Sequence, residues 1–365
     1  MKHSLALLLA LLIIVGLCAC QAEQTAVETT VPTQVPTETG GEPTVLPEPE
    51  TQPPTEVPKV EGELYLNVSG ITFSLVGESE NVYCGTVPAE LVTWQSDDES
   101  VITVENGVLT AVGVGSTTVW GEYGDLQVSC AASCLAQTQE ELEGLDPEIL
   151  RSPKRLPPIL ENPPLEYFDE VALVGDSISY ILFQYEGMTD LLGHPLFLVR
   201  SGTSLNGLVR YYKNVHFRGQ DTPIEDAAQL SGVKKLLIML GQNDLGYRTI
   251  EDTMSSWDIM LERILEKSPD MEIIIQSCVQ EWIPDNGDNA KNEKIDTYNG
   301  LLEEYTAEHG YHYWDIQKYV VDHTGAMATI YSLDKGIHLN QEGCVVWMQV
   351  LNHYAQMELL EERNQ

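Results

Sequence analysis

The chain has 365 residues, with 56 acidic against 19 basic side chains and a formal net charge of −37. Such an excess argues against nucleic acid as a partner, because phosphate backbones are bound by clustered Lys and Arg, and it suits solubility outside a cell. The seven cysteines form no CxxC pair and no HExxH stretch occurs, so neither a metal ion nor another cofactor is expected.

Residues 1–20, "MKHSLALLLALLIIVGLCAC", have a basic start at Lys2 and an apolar run from Leu5 to Leu17, the pattern of an export signal. The run is shorter than the roughly 20 residues of a membrane span. Its end, Leu17-Cys18-Ala19-Cys20, resembles the lipobox of bacterial lipoproteins. That resemblance implies lipidation of Cys20 and attachment to the extracellular face of the bacterial cell membrane; plain secretion is the alternative. Residues 21–60 are rich in Thr, Pro and Glu, with almost nothing large and apolar to bury. This composition predicts a disordered, extended stalk.

Residues 61–135 carry seven short alternating segments separated by turn signals, the pattern of an all-β sandwich. The run "TWQSDDESVITVENGVLTAVGVGSTTV" resembles bacterial Ig-like (group 2) domains. Trp94 is expected in its core, and Asn106-Gly107 in a tight hairpin turn. Counting by twos puts Cys84 on one face with Val82, and Cys130 on one face with Leu126, Val128 and Cys134, so a Cys84–Cys130 disulfide is a candidate, with three unpaired buried thiols as the alternative. No chemistry is visible in this unit, which reads as a spacer, with a weak wall- or glycan-binding module as the alternative.

A Pro-rich connector, 136–165, leads into residues 166–365, where apolar strands alternate with amphipathic stretches. The strands are Val171–Val174, Leu196–Val199, Val233–Leu240, Met271–Cys278 and Tyr311–Trp314. The stretch with Ile295, Tyr298, Leu301, Leu302 and Tyr305 paints one helical face. Strands alternating with helices predict a three-layer α/β/α fold around a parallel sheet, with the site beyond the carboxyl ends of the strands.

Three short blocks fall at those ends, "VGDSIS" after the first strand, "RSGTSL" after the second and "LGQND" after the third, and a fourth, "GIHLNQEG", comes just before the last helix. The ordered set resembles the SGNH/GDSL hydrolases, serine esterases and acyl hydrolases with a flavodoxin-like fold. Residue by residue, the resemblance implies Ser177 as nucleophile, His338 as base, and an oxyanion hole from Ser177, Gly202 and Asn243.

The residue types suit those roles. A serine hydroxyl needs a base to take its proton, and the oxygen of an attacked carbonyl needs preorganised donors. Glycine lets a backbone N–H come close. Asn340 could cap the helix after His338. Asp176 and Asp244 read as turn residues. One feature departs from the family, which usually has an aspartate three residues before the histidine. Lys335 holds that place and Asp334 is one step further back, so either a bulged turn brings Asp334 to the imidazole or the site is a Ser–His dyad. Trp282, after the fourth strand, could stack on a sugar or pack against its own loop.

These observations predict a surface-anchored serine esterase acting on acyl, above all acetyl, esters of extracellular or cell-wall carbohydrate, or on another small ester. An O-acyltransferase of the same fold, and an inactive hydrolase fold serving as a glycan-binding protein, are the competing readings.

Overall fold

The computed structural model describes residues 64–85, 87–211, 214–284 and 287–364. The segments expected to be an export signal and a stalk, with the lipidation candidate Cys20, lie outside the described residues.

The N-terminal β region contains β1 (Gly70–Leu75), β2 (Ser79–Asn81), β3 (Thr93–Ser96), β4 (Ile102–Glu105), β5 (Val108–Ala111), β6 (Gly115–Tyr123) and β7 (Leu126–Ala136). After two short helices, α1 (Gln139–Glu143) and α2 (Pro147–Leu150), the connector adds β8 (Arg155–Leu156). The strands form a five-stranded sheet in the order β3-β6-β7-β1-β8 and a three-stranded one in the order β2-β5-β4. The first is mixed, since β1 runs parallel to β7 while β6 and β8 run antiparallel to their neighbours.

Asn106 and Gly107 both have positive φ, as the β4–β5 hairpin turn requires. Trp94 is only partly buried and donates its indole N–H to Ala89 O. The Cys84–Cys130 disulfide is not formed: both are free, buried thiols. The Cys84 sulfur lies over Gly121 of β6, packed with Trp94 and Val92, while Cys130 sits on β7 opposite Val119. Burial pushes each thiol up to about 12, so both stay protonated.

The α/β region is built on β9 (Val171–Gly175), β10 (Leu196–Val199), β13 (Lys235–Met239), β14 (Glu272–Gln276) and β15 (His312–Trp314), with β11 (Val215–Phe217) and β12 (Gln220–Thr222) as a separate hairpin. All five sequence-predicted strands form. They make one parallel sheet in the order β10-β9-β13-β14-β15, which is 2-1-3-4-5 in chain order. That is the flavodoxin-like order, whose direction switches between the first and third strands.

Side chains alternate between the two faces because successive Cβ atoms do. Val171, Leu173, Leu237, Met239 and Ile274 join one buried cluster together with the last helix, while Ala172, Val174, Leu236, Ile238, Ile273 and Ile275 join the other. The helices are α3 (Ser177–Tyr180), α4 (Leu205–Arg210), α5 (Ile224–Ser231), α6 (Gln242–Leu245), α7 (Ile250–Lys267), α8 (Ala290–His309), α9 (Gln317–Val320) and α10 (Gln341–Asn364). On α8 the expected face buries Ile295, Tyr298 and Leu302, but Leu301 is 37% exposed.

The β region and the α/β region pack as one compact unit. Their apolar clusters are continuous, and polar bonds cross between them. Tyr319 donates to Asn67 O at 2.9 Å, Ser74 Oγ meets His323 Nδ1 at 2.9 Å, and Tyr83 Oη meets His353 Nε2 at 3.2 Å. The connector is structural as well: β8 closes the edge of β1, and Lys154 N–H donates to Val321 O.

Candidate active site

The four blocks converge at the carboxyl ends of β9, β10 and β13. The chain leaves β9 through Gly175 into the first turn of α3, capped by Asp176, whose Oδ1 accepts from Ile178 N–H at 2.9 Å. Gly175 has no alternative there, because a Cβ would come 2.0 Å from Ser179 Oγ and 2.6 Å from its Cβ. This tight strand-to-helix turn leaves Ser177 half-buried at the helix start. Its N–H is one of the orphan donors of a helix N-terminus.

His338 Nε2 lies 3.2 Å from Ser177 Oγ, and its Nδ1 lies 2.7 Å from Asp334 Oδ2. Asp334 is held below its ordinary range: burial works the other way, but the hydrogen bond and the charge of His338 outweigh it. A carboxylate accepts only, so Nδ1 carries the proton and Nε2 is free to accept from the serine hydroxyl. The extra residue between acid and base is absorbed as a left-handed turn, with Lys335 at φ +52°. Leu333 N–H donates to His338 O at 2.9 Å and closes the turn. Asn340 caps α10, accepting from Gly343 N–H at 3.0 Å, and its amide donates to Ile330 O.

Gly202 follows β10 at φ +72°, with open space where a Cβ would stand. Its N–H and that of Ser177 are engaged by no other backbone acceptor among the described residues. Asn243 sits in the first turn of α6, and its Nδ2 donates to both Asp176 Oδ2 (2.9 Å) and Thr203 O (2.8 Å). Both amide hydrogens are therefore engaged, and one must be shared or released before the amide can face an oxyanion. Asp176 is 3% exposed. Burial, first of all, pushes its carboxyl up to about 6, against the pull of the Ile178 N–H and the His338 charge.

Asp244, read from the sequence as a turn residue, has a different task. It is fully buried, and its two oxygens accept from Leu205 N–H (2.8 Å) and Asn206 N–H (3.0 Å) at the start of α4. Ser204 takes the Gly207 N–H, so the orphan donors of α4 are divided between its own cap and a residue of the third block. The Asn243 and Asp244 pair thus ties the third block to the first two. One signal for this is legible in the sequence: the opening residues of α4, "LNG", contain no carboxylate of their own.

Trp282 is half-buried and oriented by its own surroundings. Its indole donates to Thr329 Oγ1 at 3.0 Å, its backbone N–H donates to Gly336 O at 2.8 Å, and Arg151 and Lys335 lie 5.8 and 5.3 Å from its ring centroid.

Residues 173–345 match the GDSL-like Lipase/Acylhydrolase family, and this part of the chain is a GDSL-like acylhydrolase domain, of carboxylic ester hydrolase type. The β region lies outside the match. No curated protein matches the chain. Among solved structures, the chain is similar to a GDSL-like lipase from Bacteroides thetaiotaomicron, 17% identical, covering 56% of this chain and 93% of that one, with a TM-score of 0.41. It is similar to a carbohydrate esterase family 3 protein from Talaromyces cellulolyticus, 16% identical, covering 53% and 98%, with a TM-score of 0.39. A variant of an acetyl-xylooligosaccharide esterase from Geobacillus Stearmophilus is 15% identical, covering 50% and 91%, with a TM-score of 0.36.

Proposed function

We propose that the chain is an exported serine esterase that removes acyl groups, above all acetyl, from extracellular or cell-wall carbohydrate. The observation that carries the reaction type is the relay Asp334–His338–Ser177, with contacts of 2.7 and 3.2 Å. In this reading Ser177 Oγ attacks the ester carbonyl carbon while His338 Nε2 takes its proton. The charge left on the imidazole is met by Asp334 through Nδ1.

The carbonyl oxygen, now anionic, lies among the N–H groups of Ser177 and Gly202 and the amide of Asn243. Collapse of the tetrahedral intermediate breaks the bond to the alcohol, which leaves with the proton from His338, and an acyl-serine remains. Water then attacks with His338 again as base, releasing the carboxylic acid and restoring the serine. The choice of an extracellular carbohydrate ester rests on the export-type start of the sequence and on the resemblance to SGNH hydrolases. In the same reading, lipidation of Cys20 holds the protein at the membrane, residues 21–60 give it reach, and the β region is an Ig-like spacer.

The test is covalent labelling and turnover with the full chain. Wild type should hydrolyse p-nitrophenyl acetate and be labelled by a fluorophosphonate, whereas Ser177→Ala should do neither and keep its melting temperature. Turnover retained by Ser177→Ala would overturn the assignment. Acetate release from acetylated xylan or peptidoglycan, compared with acylated lipid, tests the substrate class.

A further inference from the structure

Asp334 stands one residue further from His338 than the usual family spacing, and it is 45% exposed. An exposed carboxylate on a surface turn is free to swing into water unless the turn is pinned. The turn also holds Lys335 in the left-handed region, which non-glycine residues adopt only where the surroundings enforce it. Something outside the turn has to fix it.

The pinning contacts lead to the connector. Trp282 N–H holds Gly336 O, two residues before His338, and the Lys335 ammonium lies over the same indole. The loop bearing Trp282 is held in turn by Arg151, which is 8% exposed and whose guanidinium donates to Ile283 O at 2.6 Å. The same group reaches Asp322 Oδ2 and Thr324 Oγ1, both at 3.2 Å, and lies 5.8 Å from the Trp282 ring centroid. Arg151 O accepts from Thr329 N–H at 3.1 Å, and the Thr329 hydroxyl holds the Trp282 indole, so the contacts form a closed circuit.

We propose that Arg151, which lies outside the acylhydrolase match, is a positioning residue for the Asp334–His338 pair, acting through Trp282 and Ile283. A planar fork with several donors can serve the acceptors of the two loops at once, which a lysine ammonium on a flexible stem cannot do with the same geometry. The inference rests on the esterase reading given above. It makes the connector part of the catalytic machinery and assigns Trp282 to holding the acid-bearing turn.

The test is a double-mutant cycle in the full chain. Arg151→Met is combined with Asp322→Asn, so that no buried carboxylate is left unpaired. This pair should lower kcat for p-nitrophenyl acetate at least tenfold with KM changed less than about threefold. In an Asp334→Asn background it should lower kcat by less than about twofold, because its effect runs through that carboxylate. An equal loss in both backgrounds, or an unchanged kcat in a folded protein, would overturn the proposal.

Should the Arg151 variant fail to fold, Trp282→Phe and Lys335→Gly leave the buried ion pair intact, and glycine suits φ +52°. The same coupling to Asp334→Asn is expected for both, and its absence from both would count against the circuit. A readout independent of turnover is the low-field proton resonance of His338 Nδ1–H, assigned by its loss in Asp334→Asn. It should broaden or move in the Arg151 variants, and an unaltered resonance would overturn the proposal. If wild type hydrolyses no ester while the resonance behaves as stated, the esterase reading fails and the positioning role stands.

Discussion

The carboxylate of Asp334 meets the imidazole of His338 at 2.7 Å across four residues of chain. If this contact fixes the tautomer and stabilises the imidazolium, Asp334→Asn should lower kcat by on the order of 10⁴, the loss known for the template triad. Under about tenfold would reduce the site to a Ser177–His338 dyad. Stopped-flow or steady-state kinetics on a chromogenic ester decides between them.

Asn243→Ala should lower kcat by roughly 100- to 1,000-fold, the usual cost of one oxyanion donor. Because its amide also serves Asp176 and Thr203 O, the same variant should melt at a lower temperature. Normal turnover with a lowered melting temperature would mean that the amide is wholly structural.

Acid should weaken the contact between the β region and the α/β region. Burial, first of all, pushes His353 down to about 3, with Lys318 adding to it, and pushes His323 down to about 4, with Lys154 adding to it. The unfolded chain takes up protons on both at about 6.5, so below that pH it binds more protons than the fold, and the stability these neutral rings supply is lost as the pH falls. Asp176 opposes this. Its folded value of about 6 lies above the unfolded one, so its contribution is largest at low pH and lost as the pH rises through 6. The His353 contribution is isolated by difference: the melting temperature of His353→Phe relative to wild type should improve from pH 7 to pH 4.5. A constant difference would mean that His353 titrates normally in the fold.

A fragment of residues 166–365 should not fold alone. Its apolar cluster continues into Leu66, Val68, Ile71 and Phe73 of the β region, and it would lack Arg151, the partner of buried Asp322. The expected result is aggregation or a non-cooperative melt, while residues 61–365 melt cooperatively. A fragment with full turnover and a sharp melt would show that the two regions are energetically independent.

Periodicity and turn chemistry made the five strands of the parallel sheet legible, as well as the Asn106-Gly107 turn and the cap at Asn340, because each of these depends on residues near one another in the chain. The four blocks were legible for a related reason. A parallel sheet brings the ends of successive strands to one edge, so Ser177, Gly202 and Asn243, each after its own strand, are implied to meet there, while His338, before the last helix, joined them through the resemblance to SGNH hydrolases. What the sequence left open were choices among partners of equal chemistry. Asp334 within reach of His338, Asn243 turned toward Asp176, and Cys84 seated over Gly121 apart from any disulfide are settled by packing between segments far apart in the chain. Arg151 has no local signature, and for Asp244 the sequence offers only the missing carboxylate at the start of α4, since a buried carboxylate or guanidinium is defined by the donors and acceptors that surround it. Those surroundings come from the α4 terminus in one case and from the 281–283 and 322–324 loops in the other. Local energetics sets the elements and the reacting residue types; only the closure of distant segments on one another decides which polar groups meet.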